Sequence, residues 1–166
     1  IVFLIPSYLC IALVTPLNLP LPLTGFQIAL YIFTMINIFL LGSRGYLGSY
    51  LQKYLKADTT IQEEKQYDYF INCASKSSLE YCEENPGESK VSNFEVICEI
   101  NSKIPEAKII SFSSYYVYDD EGECSEESNT TDRYFYTKHK LQAEKFVTSK
   151  GGVSFRLGKL FGNIYC

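Results

Sequence analysis

The sequence predicts an α/β fold, a parallel sheet with helices on both faces, and three observations carry that prediction. Apolar strand-like runs alternate with helix-like segments along residues 35–157, and strands joined through helices pair in parallel by right-handed crossovers. Between the first apolar run and the segment after it, a glycine recurs at every third position: Gly42, Gly45 and Gly48. The chain has 166 residues, 46% of them hydrophobic. That is enough for one domain with a buried core and too little for two of ordinary size.

The first 43 residues carry no charge at all. Pro6, Pro16, Pro20 and Pro22 break any helix across the first half of this stretch, which leaves residues 23–41 as the only length suited to a membrane span. A signal peptide would need a basic start and a small-residue cleavage site, and neither is present. A membrane helix would claim residues 36–41, which the glycine loop needs as a strand, so the two uses exclude each other. Met35 is the only methionine and stands immediately before that strand. The expected organisation is therefore an uncharged hydrophobic extension over residues 1–34 and a domain over 35–166. The extension is either foreign to the domain or membrane-associated, with any membrane contact confined to residues 1–41.

Strand 35–41 leads through the glycine loop into a helix over 49–56, and a polar stretch over 57–66 follows. The aromatic-apolar run 69–73 reads as a second buried strand. Residues 80–104 read as a helix interrupted near Asn85-Pro86-Gly87, with Val91, Phe94, Ile97, Cys98 and Ile104 on one stripe. A strand over 107–114, an acidic loop over 119–127, a four-turn helix over 134–150 stopped by Gly151-Gly152, and a strand over 153–157 complete the series.

A net charge of −4 and a pI near 5.1, with no basic stripe, exclude a nucleic-acid surface. The six cysteines fall at irregular spacings without a C-x-x-C, as expected of reduced thiols in a cytoplasmic protein. His139 is the single histidine. A zinc site and a Ser-His-Asp relay both lack their parts, and no metal is expected.

A strand, a glycine-rich turn and a helix form a socket for a pyrophosphate, because glycines let the backbone approach it and the helix N–H groups face it. The spacing here is G-x-x-G-x-x-G, and no Lys followed by Ser or Thr closes it as in a nucleotide-hydrolase loop. Further on, Tyr136 and Lys140 lie four apart on one helix face, where an ammonium can draw a phenol toward the working pH of a general base. Tyr134 and Lys138 repeat the spacing two residues earlier, and the pattern alone does not choose between the pairs. Ser114 ends a strand at the carboxyl edge, where parallel sheets bind ligands.

Taken together, the glycine loop, Ile71-Asn72-Cys73-Ala74-Ser75, Ser113-Ser114-Tyr115-Tyr116-Val117-Tyr118, Tyr136-Thr137-Lys138-His139-Lys140-Leu141-Gln142-Ala143-Glu144 and Arg156-Leu157-Gly158-Lys159-Leu160-Phe161-Gly162 resemble the extended short-chain dehydrogenase/reductases. The likeness is to their NAD-dependent epimerase/dehydratase group, and within it to the dTDP-4-dehydrorhamnose reductases. It implies an abbreviated Rossmann-type domain, with the second and third strands reduced or absent and no C-terminal substrate region. The implied activity is hydride transfer between NAD or NADP and a nucleotide-linked sugar, the oxidoreductase or epimerase chemistry of dTDP-rhamnose biosynthesis. The alternative is a non-catalytic dinucleotide-binding module or an inactive fragment of such an enzyme.

By position, the resemblance implies Tyr136 as the catalytic acid/base, because only that register places Leu141 and Glu144 as the family's Leu-x-x-Glu. Lys140 would hold the nicotinamide ribose and lower the Tyr136 pKa, and Ser114 would orient the substrate oxygen. Gly42, Arg44, Gly45, Tyr46, Leu47 and Gly48 would line the pyrophosphate, with Asn72, Cys73, Ala74 and Ser75 packed along the cofactor. Tyr115 and Arg156 would shape the substrate cleft. Asp58 is the one acid near the place where the family reads the adenosine ribose.

Overall fold

The computed structural model describes residues 36–119, 124–158 and 160. Five strands form one parallel sheet: β1 (Ile38–Leu41), β2 (Ala57–Asp58), β3 (Tyr69–Asn72), β4 (Lys108–Ser114) and β5 (Val153–Leu157). Their order is β2-β1-β3-β4-β5. The helices are α1 (Tyr46–Tyr54), α2 (Leu79–Glu84), α3 (Pro86–Lys90), α4 (Val96–Lys103) and α5 (Phe135–Ser149). From β1 the chain crosses one way to β2, and from β3 it crosses the other way to β4 and β5. Right-handed crossovers in opposite directions place α1 on one face and the later helices on the other. The direction reverses between β1 and β3, and their carboxyl ends flank the crevice where such sheets take ligands.

Register explains the core. Phe39, Phe70 and Ile109 are partners across β1, β3 and β4 and so share a face. They pack with Ile97, Ile100 and Ile104, and with Ala143 and Val147 of α5, in a single cluster. Full burial of each large apolar side chain there contributes about 1.5–3 kcal/mol. On the opposite face Leu40 and Ile71 are buried, whereas Val153 and Phe155 at the β5 edge are 44% exposed.

The abbreviated sheet takes a definite form. The second strand survives as the two residues of β2, which pair with β1, inside a stretch expected to be only polar connection. No further strand lies between β2 and β3. Instead the chain folds back on itself: Asp58 accepts hydrogen bonds from Lys65 Nζ at 2.7 Å and the Tyr67 hydroxyl at 2.9 Å, and that hydroxyl accepts from Gln62 N.

Two expectations need correction. Helix α1 begins at Tyr46, with Gly45 as its N-cap, three residues earlier than expected and inside the glycine run. The long helical segment breaks at Asn85, as Pro86 at the first helical position requires, but it also contains a π-helical turn, Val91–Glu95. The residue inserted by such a turn rotates the apolar stripe. Val91 is consequently exposed, and Asn93 is buried in place of an apolar residue.

Residues 38–41 are a strand paired on both sides, so the membrane-helix reading fails at its C-terminal end. No helix among the described residues is long and apolar enough to cross a membrane. The extension over 1–34, Met35, Lys159 and the Phe161-Gly162 motif lie outside the described residues.

Candidate functional site

The site is assembled at the carboxyl edge of β1, β3 and β4. Gly42 follows β1 with φ of +82°, a conformation that side chains other than glycine rarely adopt. A Cβ there would lie 2.5 Å from the Ala74 nitrogen, so glycine lets the β1 turn rest directly on the chain leaving β3. Gly48, the third residue of α1, packs on the same turn, and a Cβ there would overlap the Gly42 carbonyl oxygen. Gly45 N donates to Gly42 O at 3.0 Å and closes the turn. The result is a backbone cradle capped by the N-terminus of α1, with no acidic residue in its first turn, and Arg44 and Tyr46 are exposed at its rim. Such a cradle suits a pyrophosphate by shape and by charge.

Beside it, Asn72 is buried at the end of β3 and its Oδ1 accepts from Ala74 N at 3.1 Å, which curls the chain after the strand. Cys73 is a free thiol that burial pushes up to about 12, so it acts as a small apolar wall. Asn93, from the π-helical turn, holds the next residues. Its Oδ1 accepts from Ser75 Oγ at 2.8 Å and Lys76 N at 3.1 Å, and its Nδ2 donates to Lys76 O at 3.1 Å.

Helix α5 supplies the titratable pair. Tyr134 is the N-cap residue, 37% exposed, and its backbone exchanges hydrogen bonds with the Thr137 side chain. Phe135 N donates to the Glu83 carboxylate at 2.6 Å, which places a negative charge at the positive end of the helix. Tyr136 is 5% exposed and turned into the fold, on the side of Ser114 and Ser75. The geometry thus separates two pairs that the spacing left equal. Tyr134 and Lys138 lie at the surface, and Tyr136 and Lys140 lie at the sheet edge.

The expected tuning of Tyr136 by Lys140 is not what acts in this structure. Burial raises the Tyr136 hydroxyl above its ordinary value, and the two serines pull it back. Lys140 Nζ donates to Phe112 O at 2.9 Å and lies 5.8 Å from the Tyr136 ring centre. Burial pulls Lys140 itself down to about 8. A charge so desolvated, with one carbonyl partner, has donors to spare for a ligand.

Arg156, expected to shape a substrate cleft, is held by a carboxylate partner. Its Nε and Nη2 donate to the two carboxylate oxygens of Glu144 at 3.0 and 2.7 Å, and its guanidinium lies over the Tyr118 ring. It ties β5 to α5. Tyr115 is exposed and stacked on Tyr116, with ring centres 4.3 Å apart, and the adjacent Ser114 Oγ accepts from Tyr116 N. Asp58 ends β2, with its carboxylate engaged by Lys65 and Tyr67 and held below its usual range, chiefly by the Lys65 hydrogen bond. Asn93 escaped the sequence reading because a helical period of 3.6 puts no polar residue on the buried stripe. A buried Asn inside an apolar helix was the one available signal.

No family model matches the chain, and no curated protein matches it. Solved structures do. A dTDP-4-dehydrorhamnose reductase from Clostridium acetobutylicum superposes with a TM-score of 0.59 at 23% identity, covering 69% of this chain and 49% of that one. A dTDP-4-dehydrorhamnose reductase from Bacillus anthracis, in complex with NADP, gives 0.62 at 18% identity, with 74% and 52% covered. The UDP-Glc/GlcNAc 4-epimerase of Campylobacter jejuni gives 0.60 at 16% identity, with 70% and 49% covered. At these identities the likeness establishes the Rossmann-type fold. The chain spans about half the length of the structures it matches.

Proposed function

We propose that this chain is the cofactor-binding half of an NAD(P)-dependent reductase or epimerase of a nucleotide-linked sugar, in the extended short-chain dehydrogenase/reductase group. One observation carries the reading. The glycine cradle, the Asn72–Ser75 turn, Ser114 and the buried Tyr136–Lys140 pair, scattered over a hundred residues of sequence, meet at one sheet edge, at the topological switch point. The solved neighbours with this fold, which are reductases and epimerases of nucleotide sugars, support it.

The residues present fit NAD(P). The pyrophosphate would lie over the glycine turn, whose backbone is packed tightly enough that no side chain stands in the way, with the N–H groups at the start of α1 facing it. Residues Asn72, Cys73, Ala74 and Ser75 would line the cofactor, and Lys140 would hold the nicotinamide ribose through its uncommitted donors. When bound, the cofactor supplies the hydride chemistry. The protein's share is a proton. Tyr136 gives it to, or takes it from, the sugar oxygen, and Ser114 holds that oxygen in reach. Tyr115, exposed beside Ser114, faces the substrate side, while Arg156 acts through Glu144 to fix α5.

For the choice of cofactor, Asp58 stands where a free carboxylate would take the ribose hydroxyls of NAD. Lys65 and Tyr67 already occupy it, and Arg44 stands exposed in the glycine loop. This combination favours NADP. Titration of the protein with NADPH and NADH by fluorescence, followed by a dTDP-4-keto sugar, tests the reading. Saturable NADPH binding weakened by Arg44→Ala is expected, with turnover in the chain extended past Cys166. Binding without turnover in the extended chain would replace the enzyme reading with that of a non-catalytic dinucleotide-binding module.

A further inference from the structure

His139, the single histidine of the chain, is buried at one end of a run of hydrogen bonds whose other end is the turn after β3. Its Nδ1 lies 2.9 Å from Oγ of Ser89, a fully buried residue of α3. Asn93 Nδ2 donates to the same Oγ at 3.4 Å and to Lys76 O at 3.1 Å, while Asn93 Oδ1 accepts from Lys76 N at 3.1 Å and from Ser75 Oγ at 2.8 Å. Lys76 N–H can only donate and Lys76 C=O can only accept, so the Asn93 amide has one allowed orientation and Nδ2 meets Ser89 as a donor. The Ser89 hydrogen then needs an acceptor of its own, and among the described residues the imidazole is the only one bonded to Ser89 Oγ. Nδ1 is therefore the bare nitrogen of a neutral ring, and Nε2 carries the hydrogen.

We propose that His139 is a proton-sensitive positioning residue: neutral, it holds the Ser75–Lys76 turn through Ser89 and Asn93, and protonated, it releases that turn. A hydrogen added at Nδ1 points at Ser89 Oγ, and the Ser89 hydrogen loses its acceptor inside the fold, where an unmade hydrogen bond is costly. Ser89 Oγ turns away from the ring, and Asn93 Nδ2 loses the partner that steadies it. What loosens is the grip of Asn93 on Lys76; the Cys82 thiol, at 3.5 Å, stays on Lys76 O. Burial opposes protonation of the ring most, Lys138 on α5 and Lys90 on α3 add to it, and Glu95 of the π-helical turn and Glu83 on α2 work against them. The release therefore falls below the ordinary histidine value of 6.5. That the turn lines a cofactor rests on the NAD(P) reading; the coupling of His139 to the turn does not.

An NMR titration of the untagged, nitrogen-labelled protein from about pH 8 to about pH 5 follows both ends of this run of bonds. His139 is the only histidine, so its ring signals need no assignment. Expected are a neutral ring with its hydrogen on Nε2, and Ser75 and Lys76 amide shifts that move with the midpoint of the ring. In Ser89→Ala the ring still titrates and the two amides no longer follow it. In His139→Gln they stay still over the same range, and the β3 and β4 amides report the fold throughout. A neutral ring with its hydrogen on Nδ1, wild-type amides that ignore the ring midpoint, or amides that follow it equally in Ser89→Ala would each overturn the proposal. Saturating NADP is expected to lower the ring midpoint by about 0.5–1 pH unit, which is a three- to tenfold preference for the protein with neutral His139. Bound NADP with an unmoved midpoint would overturn the positioning role. Amide coupling intact without any NADP binding would bear out the switch and defeat the cofactor reading alone.

Discussion

The Lys140 ammonium lies 5.8 Å from the centre of the Tyr136 ring, yet its hydrogen bond goes to the Phe112 carbonyl. The two side chains share one face of α5, a turn apart, as their spacing requires. Burial acts on them in opposite directions, raising the phenol and drawing the ammonium down to about 8. Both shifts favour the uncharged forms.

Lys140 therefore costs the ligand-free fold stability. Its folded pKa is depressed below the ordinary lysine value near 10.5, so the penalty is full below pH 8 and fades as pH rises toward 10.5. Lys140→Met is expected to raise stability at pH 7 by about 1–3 kcal/mol. It should also abolish NADPH binding. Urea unfolding at pH 7 and at pH 10 checks this, with the gain smaller at the higher pH.

Gly48→Ala tests the cradle. In a helix interior alanine is ordinarily favoured over glycine by about 1 kcal/mol, but here its Cβ would overlap the Gly42 carbonyl. A net loss of about 1–3 kcal/mol is expected from the forced shift, together with loss of cofactor affinity. Thermal unfolding and a binding titration report the two effects separately.

His139 is buried, and its pKa is lowered, first by burial and then by Lys138 and Lys90, while Glu95 and Glu83 oppose them. The unfolded chain takes up the proton first as pH falls below about 6.5, so stability from this group is intact above that pH and declines as pH drops through the folded value. The slope of unfolding free energy between pH 7 and pH 5.5 is expected to flatten in His139→Gln.

The Arg156–Glu144 pair holds β5, the edge strand, to α5. Glu144→Gln is expected to cost about 1–2 kcal/mol, and Arg156→Lys to cost nearly as much, because an ammonium cannot bridge both carboxylate oxygens. Chemical denaturation of the two variants checks the equivalence.

Most of the fold was legible because its signals are local. Tyr69–Asn72 and Lys108–Ser114 are short apolar runs with small residues after them, and Gly151-Gly152 marks the end of α5. Strand β2 was not legible, since two residues carry no period and Ala57–Asp58 is held by pairing to β1. The different burial of Tyr136 and Tyr134 was not legible in their shared spacing, and the family register of Leu141 and Glu144 was the only sequence signal that separated the two. The pairing of Arg156 was not legible for a similar reason. Its partner Glu144 lies twelve residues away, and only packing of β5 beside α5 brings them together. The Asn93 network depends on a π-helical turn, which leaves no mark on the sequence beyond the buried amide itself.

The central claim is that NAD(P) lies in the crevice between β1 and β3, and residue-resolved NMR with added NADPH tests it most directly. The account predicts saturable shifts of the Gly42, Gly45, Tyr46 and Leu47 amides and of those of residues Asn72, Cys73, Ala74 and Ser75. Val153 and Phe155 at the far edge should stay still. Saturable shifts elsewhere with these amides unmoved, or no shifts at millimolar NADPH and NADH, would contradict it.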